Sequence, residues 1–399
     1  MRAIGSATAS LSCTAVGSYF NIRSCCFKSS VAVRPPSRAS HSHRRRLSTT
    51  VMSASQSQSL SSSSAEAYAR LSQLRPSFQQ TMLRIKNPTA SLKFYTEVMG
   101  MTHVDTYDFN DMGFSLYFLQ SFDEGAKPAL EPGSVDAHKH LWSTQGTVLE
   151  LTHNHEDSGE VYHAGNEEGD GFGHIAFNCD DVYASCKRLE EQGVTFKKKP
   201  DEGRMKGLAF AYDPDGYWVE IVPRSDKSEI KQEFNLSQTM MRIKDPARSL
   251  PFYRDGMGMT LVRESHYPEA NFSNYFLATL PPGTPPPTHD PQDRDASKGY
   301  VGALHGPVLE LTHNHGTEND PDFKHKNGNE QGKRGFGHIG FLVDDVGEAC
   351  AAIEAAGGEL AKRPEGGKMQ GLAFALDPDG YMVEIVKRGG YGDAFQPYK

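Results

Sequence analysis

The chain is 399 residues long, enough for two or three domains with cores of their own. With 37% apolar and 23% charged residues and no apolar run long enough to cross a bilayer, its composition is globular and excludes a helical membrane protein. The formal net charge is −8, but the first 65 residues hold eight Lys or Arg and no Asp or Glu, leaving 34 basic against 50 acidic residues in the remainder. An acidic body of that kind does not suit nucleic acid or an anionic membrane, and an anionic ligand would need basic residues placed locally.

Residues 1–65 are basic, Ser-rich and acid-free, with Arg44, Arg45 and Arg46 in a cluster. That is the composition of a transit peptide directing a chain to mitochondria or another organelle, whereas a start at Met52 gives a cytoplasmic form. The six cysteines, Cys13, Cys25, Cys26, Cys179, Cys186 and Cys350, form no CxxC pair. They read as free thiols of a reducing compartment. Residues 66–77 contain a short helical arm, AEAYARLSQL, ahead of Pro76.

Residues 78–224 and 234–388 are two copies of one domain, joined by the charged linker 225–233 and followed by the tail 389–399. VLELTHNH stands at 148–155 and again at 308–315. QTMLRIK answers QTMMRIK, GFGHIAF answers GFGHIGF, and KGLAFAYDPDGYWVEIV answers QGLAFALDPDGYMVEIV. An offset of about 160 residues makes this a duplicated domain rather than a solenoid. Two such copies can pair with pseudo-twofold symmetry inside one monomer, which would create any interface site twice.

Each repeat divides again. TMLRIK alternates as a strand does; Asn87-Pro88 then opens the helix SLKFYTEVM, which Gly100 ends, and the strands FSLYFL and VLELTH follow. The pattern restarts with HIAFNC, the Asp180-Asp181 turn, the helix VYASCKRLEEQ closed by Gly193, and the strands LAFAYD and WVEIV. The order is βαβββ, twice per repeat and four times per chain, an α+β class. The Pro/Gly-rich or polar stretches 123–146 and 281–306 read as long loops.

Within these strands stand polar side chains that a core rejects. Glu150 lies inside VLELT and Glu220 inside WVEIV, with Glu310 and Glu384 repeating them. His174 and His338 open their strands, while Gln80 and Gln238 precede theirs. A buried carboxylate is costly unless paired, protonated or bound to metal. One Gln, one His and two Glu on equivalent strands, recurring in the second copy, form an oxygen-rich set with a single nitrogen, suited to a divalent ion with room for water. His138, His163 and His266 do not recur and read as surface residues. His153, His155, His313 and His315 recur but follow their strands into a loop, which they shape.

At these residues the chain closely resembles glyoxalase I (lactoylglutathione lyase) of the vicinal oxygen chelate superfamily, in its fused two-domain eukaryotic form. The resemblance rests on QTMLRIK, LELTHN, GFGHI and DPDGYWVEI and covers residues 78–388. It implies that paired βαβββ modules form cupped mixed sheets with one divalent metal in each cup. Family members with long loops like these use zinc and compact ones nickel. One site would then take Gln80 and Glu150 with His338 and Glu384, the other Gln238 and Glu310 with His174 and Glu220. The implied reaction isomerises the hemithioacetal of glutathione and methylglyoxal to S-lactoylglutathione through a metal-stabilised enediolate, with Glu384 or Glu220 as base and Glu150 or Glu310 across from it.

By the same resemblance Arg84, Asn154, Arg334, Lys368 and Met369 hold glutathione at the first site, and Arg242, Asn314 and Arg204 at the second. The family pattern RGFGH is kept at Arg334, but the first repeat reads DGFGH, with Asp170 in place of the cation. The expectation is a second site weakened by a like charge, in which restoring Arg at 170 raises activity. The rival readings are an acyl-coenzyme A epimerase and a non-catalytic ligand-binding member of the superfamily. An iron dioxygenase needs two His per site, and each site here offers one.

Overall fold

The computed structural model describes residues 61–123, 125–156 and 162–390; the transit-peptide composition lies outside the described residues except for its last few positions, and so does most of the tail. The helical arm begins earlier than expected, as α1 (Ser62–Gln73), because Ser61 caps it by accepting a hydrogen bond from the Ser64 N–H. Its buried face, Ala67, Tyr68 and Leu71, packs on the second repeat, with the Tyr68 ring edge-on to Phe252. Among the described residues no helix is long and apolar enough to cross a membrane.

The first module runs through β1 (Ser77–Ile85), α2 (Pro88–Lys93), β2 (Thr102–Phe109), β3 (Phe114–Gln120), α3 (Val135–Ser143) and β4 (Val148–Asn154). The second contains β5 (Phe172–Cys179), α4 (Val182–Glu191), β6 (Phe196–Lys198), β7 (Ala209–Tyr212) and β8 (Trp218–Pro223). In the third come β9 (Asn235–Ile243), α5 (Pro246–Pro251), β10 (Thr260–Tyr267), β11 (Phe272–Ala278), α6 (Arg294–Val301) and β12 (Val308–Asn314). The fourth has β13 (Phe336–Val343), α7 (Val346–Ala355), β14 (Glu359–Lys362), β15 (Ala373–Leu376) and β16 (Met382–Lys387).

Local chemistry explains the boundaries. Asn87 caps α2 through Ala90 N–H with Pro88 at the first helical position, and Gly100 leaves the following π-helical turn at φ +72°. Asp181 and Asp345 cap α4 and α7 in the same way. The stretches expected as loops each hold a helix, α3 and α6, capped by Ser134 and Asp293. Prolines and glycines on either side obscured these short helices.

The modules assemble into two eight-stranded mixed sheets. One has the order β14-β15-β16-β13-β1-β4-β3-β2 and the other β10-β11-β12-β9-β5-β8-β7-β6. Each sheet therefore joins a module of one repeat to a module of the other: first with fourth, second with third. The seams are antiparallel, Gln80 opposite Gly340 in one and Gln238 opposite Ala176 in the other. The central strands β5 and β13 are buried along all eight residues. The core behind them includes Leu83, Ile85, Phe177, Met241 and Phe341. Cys179, Cys186 and Cys350 are buried free thiols.

The DPDGY segments tie the sheets together. Asp213 accepts from the buried Tyr95 hydroxyl at 2.8 Å and from the Tyr217 and Asp215 N–H groups. The Tyr217 hydroxyl in turn donates to the Arg84 carbonyl at 3.0 Å. Asp377, Tyr253 and Tyr381 repeat these bonds, and Tyr381 reaches the Arg242 carbonyl at 2.8 Å. The motif thus fixes the backbone beside each site.

Candidate active sites

The seam between β1 and β13 puts Gln80 next to His338, flanked by Glu150 on β4 and Glu384 on β16. Gln80 and Gln238 lie inside their strands rather than ahead of them. The close approach depends on glycine: a Cβ at Gly337 would fall 2.5 Å from Met82 Sδ, and one at Gly173 2.5 Å from Met240 Sδ. All four side chains are almost wholly buried. Gln80 Nε2 lies 2.5 Å from Glu150 Oε2, 2.6 Å from Glu384 Oε2 and 3.1 Å from His338 Nε2. The imidazole nitrogen is 3.3 Å and 3.2 Å from the same two carboxylate oxygens.

The second cluster repeats the arrangement. Gln238 Nε2 donates to Glu220 Oε2 at 2.7 Å, and His174 Nε2 lies 3.3 Å from Glu220 Oε2 and 3.6 Å from Glu310 Oε2. In each cluster the His nitrogen and both carboxylates come within 4.8 Å of one another.

These groups fit a shared cation better than they fit each other. A Gln amide has two hydrogens for its three neighbours, while Gln80 Oε1 is buried without a hydrogen-bond partner. His174 Nε2 is close enough to attract Glu220 but not aligned to bond it, and it too lacks a partner. Burial alone would lower the His338 and His174 pKa values, but the facing carboxylates overcome it and push both up to about 9. Burial raises the Glu150 carboxyl, against the pull of His338. Two buried carboxylates with one imidazolium leave a net negative hole, and a divalent ion that displaces the imidazolium proton neutralises both carboxylates.

Around the first cluster lies a cavity of about 250 Å³ walled by Tyr107, Phe109, Leu116, Phe118 and Trp142. Arg84, Asn154 and Met369 line it; Arg334 and Lys368 do not, although Arg334 is close enough to lower the Arg84 pKa, a smaller effect than burial. The second cavity, about 960 Å³, is lined by Arg242, Asn314 and Arg204. Two residues that sequence reasoning passed over orient the arginines. Asn329 Oδ1 accepts from Arg84 Nη2 and Asn166 Oδ1 from Arg242 Nη2, each at 2.9 Å. Their recurring Gly-Asn-Glu context (165–167 and 328–330) was the available signal. Asn274 was also missed; it donates to Glu310 where the first site has Leu116.

Asp170 departs from expectation. Its carboxylate is 3% exposed, accepts from His163 Nε2 and the Glu167 N–H at 2.6 Å each, and lies 3.6 Å from Lys326 Nζ. Burial would raise its pKa, yet those hydrogen bonds outweigh it and hold the carboxyl below its ordinary value. It does not line the second cavity. The loop turns the side chain inward, away from the cavity; the Asp170 carbonyl accepts from Arg242, and the carboxylate acts on that guanidinium only through its charge. His163 is accordingly a half-buried partner of Asp170, and His138 pairs with the buried Asp105 at 2.6 Å, so neither is a free surface residue. His153 and His313 lie within their strands, one residue before the end, rather than following them; His155 bonds Ser115 and His313 bonds Glu318.

The Glyoxalase/Bleomycin resistance protein/Dioxygenase superfamily model matches residues 77–221 and 235–385, and the chain belongs to that superfamily. Over 322 residues it is 42% identical to glyoxalase I of Saccharomyces cerevisiae, covering 77% of this chain and 91% of that one. Lactoylglutathione lyase of Schizosaccharomyces pombe is 40% identical over 315 residues, 77% of this chain and 95% of the relative. A probable chloroplastic lactoylglutathione lyase of Arabidopsis thaliana is 30% identical over 313 residues, 76% of this chain and 70% of the relative. Glyoxalase I from Zea mays superposes with a TM-score of 0.56 at 25% identity, over 78% of this chain and 92% of that one. Within the superfamily the chain falls with the two-domain glyoxalase I (lactoylglutathione lyase) enzymes.

Proposed function

We propose that the chain isomerises the hemithioacetal of glutathione and methylglyoxal to S-lactoylglutathione at both clusters. The observation that carries this is the meeting of Gln80, Glu150, His338 and Glu384 from two repeats in a largely apolar cavity, with Gln238, Glu310, His174 and Glu220 repeating it. These eight residues would hold one divalent ion per site, zinc in keeping with the long loops or nickel. When bound, the ion would supply Lewis-acid stabilisation of the negative charge that develops on the substrate oxygens.

The protein's own groups supply the rest. Glu384 removes the proton from the carbon bearing sulfur, giving the enediolate, and a proton is returned to the adjacent carbon, so the substrate is isomerised without net redox change. Glu150 faces it from across the cluster, and burial, which raises its proton affinity, favours proton exchange. Phe118, Leu116 and Trp142 keep bulk water from the enediolate. Arg84 with Asn154, and Arg242 with Asn314, attract glutathione carboxylates, and Met369 covers the first site. Glu220 and Glu310 take the corresponding roles in the second. The basic N-terminal segment is read as an organellar address, which the chloroplastic relative supports.

The test is thioester formation by residues 61–399 loaded with zinc or nickel, comparing wild type with Glu384→Gln, Glu220→Gln and the double variant. Loss of a proton-transferring carboxylate lowers turnover at that site by about 10²–10⁴-fold. Each single variant should keep the other site's share, and the double variant should be inactive. A metal-loaded wild type without glutathione-dependent turnover would refute the reading.

A further inference from the structure

The two cavities agree at one end and differ at the other. Each has an Asn at the end of the Glu-bearing strand, Asn154 or Asn314, and an Arg held by an Asn, Arg84–Asn329 or Arg242–Asn166. The opposite wall consists of registered rows across β4-β3-β2 and β12-β11-β10, in which directly paired residues share a face. In the first site the row through Glu150 is Phe118 and Asp105, and the next, through Thr152, is Leu116 and Tyr107. In the second the same rows read Phe276 and Arg263 after Glu310, then Asn274 and Ser265 after Thr312. The helices differ in step. Trp142 and His138 stand six and ten residues before Val148, Gly302 and Lys298 six and ten before Val308.

These exchanges change the chemistry of the wall. In the first site Trp142 Nε1 donates to the Tyr107 hydroxyl at 2.7 Å, the His138 ring lies 4.5 Å from that of Tyr107, and His138 pairs with Asp105. Aromatic rings thus wall the cavity, and among the described residues Arg84 is the one Lys or Arg lining it. In the second no tryptophan fills the corner, and the Arg263 guanidinium lies over Phe276, 5.0 Å from its centroid, with Nε bonded to Ser265. Arg263, Arg294 and Lys298 line the enlarged wall, and Arg204, Lys206 and Arg242 bring the cavity to six cations. Among the described residues the only carboxylates lining it are Glu220 and Glu310 of the cluster itself, although Arg294 also pairs with the exposed Asp295 at 3.3 Å.

We infer that the second site is built for a hemithioacetal whose aldehyde-derived group carries an anionic substituent, such as a carboxylate or phosphate, while the first is confined to small or apolar groups. The inference rests on the isomerase reading of both clusters. The shared Arg–Asn end keeps the thiol common, and the divergent wall changes the aldehyde. The chain would thus use one chemistry on two classes of 2-oxoaldehyde.

The test compares phenylglyoxal with its 4-carboxy and 4-phosphono analogues, each with glutathione, in Glu384→Gln (second site active) and Glu220→Gln (first site active). One charge-assisted contact is worth about tenfold or more. The ratio of kcat/KM for an anionic over the neutral aldehyde should therefore be at least about tenfold higher in Glu384→Gln. Lys298→Gln and Arg263→Gln in that background should lower the ratio, and salt should do the same. Equal ratios at the two sites would overturn the inference, as would a general loss of affinity in Lys298→Gln that is blind to the substituent, since the cations would then serve glutathione itself.

Binding gives a readout free of turnover, because the chain's two tryptophans divide between the cavities, Trp142 in the first and Trp218 in the second. In Trp142→Phe, quenching of Trp218 should favour S-(4-carboxybenzyl)glutathione over S-benzylglutathione by a similar factor. If the enzyme turned over no adduct at all, the isomerase reading would fail, whereas the quenching preference would still judge the cavity.

Discussion

Replacing Asp170 by Arg sets two expectations against each other. As a missing glutathione contact, position 170 should gain activity from a cation. As a buried anchor, it should lose stability. The carboxylate accepts two bonds of 2.6 Å, from His163 and from the Glu167 N–H, and each charge-assisted bond is worth about 1.5–3 kcal/mol. His163 and Lys326 retain 15% and 40% side-chain exposure and can turn to water, which reduces the sum. Asp170→Ala should then cost about 2–4 kcal/mol. Asp170→Arg should cost more, because it buries a guanidinium near Lys326 and Arg242 without a partner, a penalty on the order of 3–5 kcal/mol. Urea unfolding followed by tryptophan fluorescence measures both. The depressed pKa gives the stabilisation a sign: it is present above the ordinary Asp range and lost as pH falls through the lower folded-state value. Asp170→Ala should therefore converge on wild type in acid, whereas Asp170→Arg should stay less stable because its buried guanidinium keeps its charge. If Asp170→Arg in the Glu384→Gln background gained turnover with unchanged stability, the buried-anchor argument would be wrong.

Metal uptake should release protons, because His338 and His174 are pushed up to about 9 in the metal-free protein. Affinity should rise with pH up to that value, and calorimetry in buffers of different ionisation enthalpy would detect the released proton; buffer-independent heats would argue against it. Asp213→Ala strands the Tyr95 hydroxyl and two backbone N–H groups in the core, and should cost about 3–5 kcal/mol in denaturant unfolding; a change below 1 kcal/mol would show that the DPDGY anchor is dispensable. Residues 61–233 expressed alone leave the seam edges of β1 and β5 unpaired and should dimerise or aggregate. A folded monomer in sedimentation would contradict the shared-sheet architecture.

The βαβββ modules and the eight polar strand residues were legible because duplication printed each twice. A Glu amid apolar neighbours is ambiguous once; the same Glu at the same place in both copies is not. The helices α3 and α6 were hidden because eight or nine residues flanked by Pro and Gly give too few turns for periodicity to show. The inward turn of Asp170 was not legible either. It depends on a loop with positive φ at Gly165, Asn166 and Gly169, and side-chain direction there is set by backbone geometry that composition does not encode. The cationic wall lay in plain residues, Arg263, Arg294 and Lys298, yet only strand register brought the first into the same cavity as the other two.

The nested pairing of modules also sets an order of assembly. β5 meets β9 about 60 residues after it is made, so the sheet of the second site can close while the chain is still emerging. β1 must wait for β13, about 260 residues later, which at about 5–20 residues per second is roughly 13–50 s of synthesis. Throughout that interval one edge of β1 stays open to other chains. The sheet that holds the tighter cavity is therefore the later to form and the more dependent on chaperones, and a slow or interrupted ribosome would spoil the first site before the second.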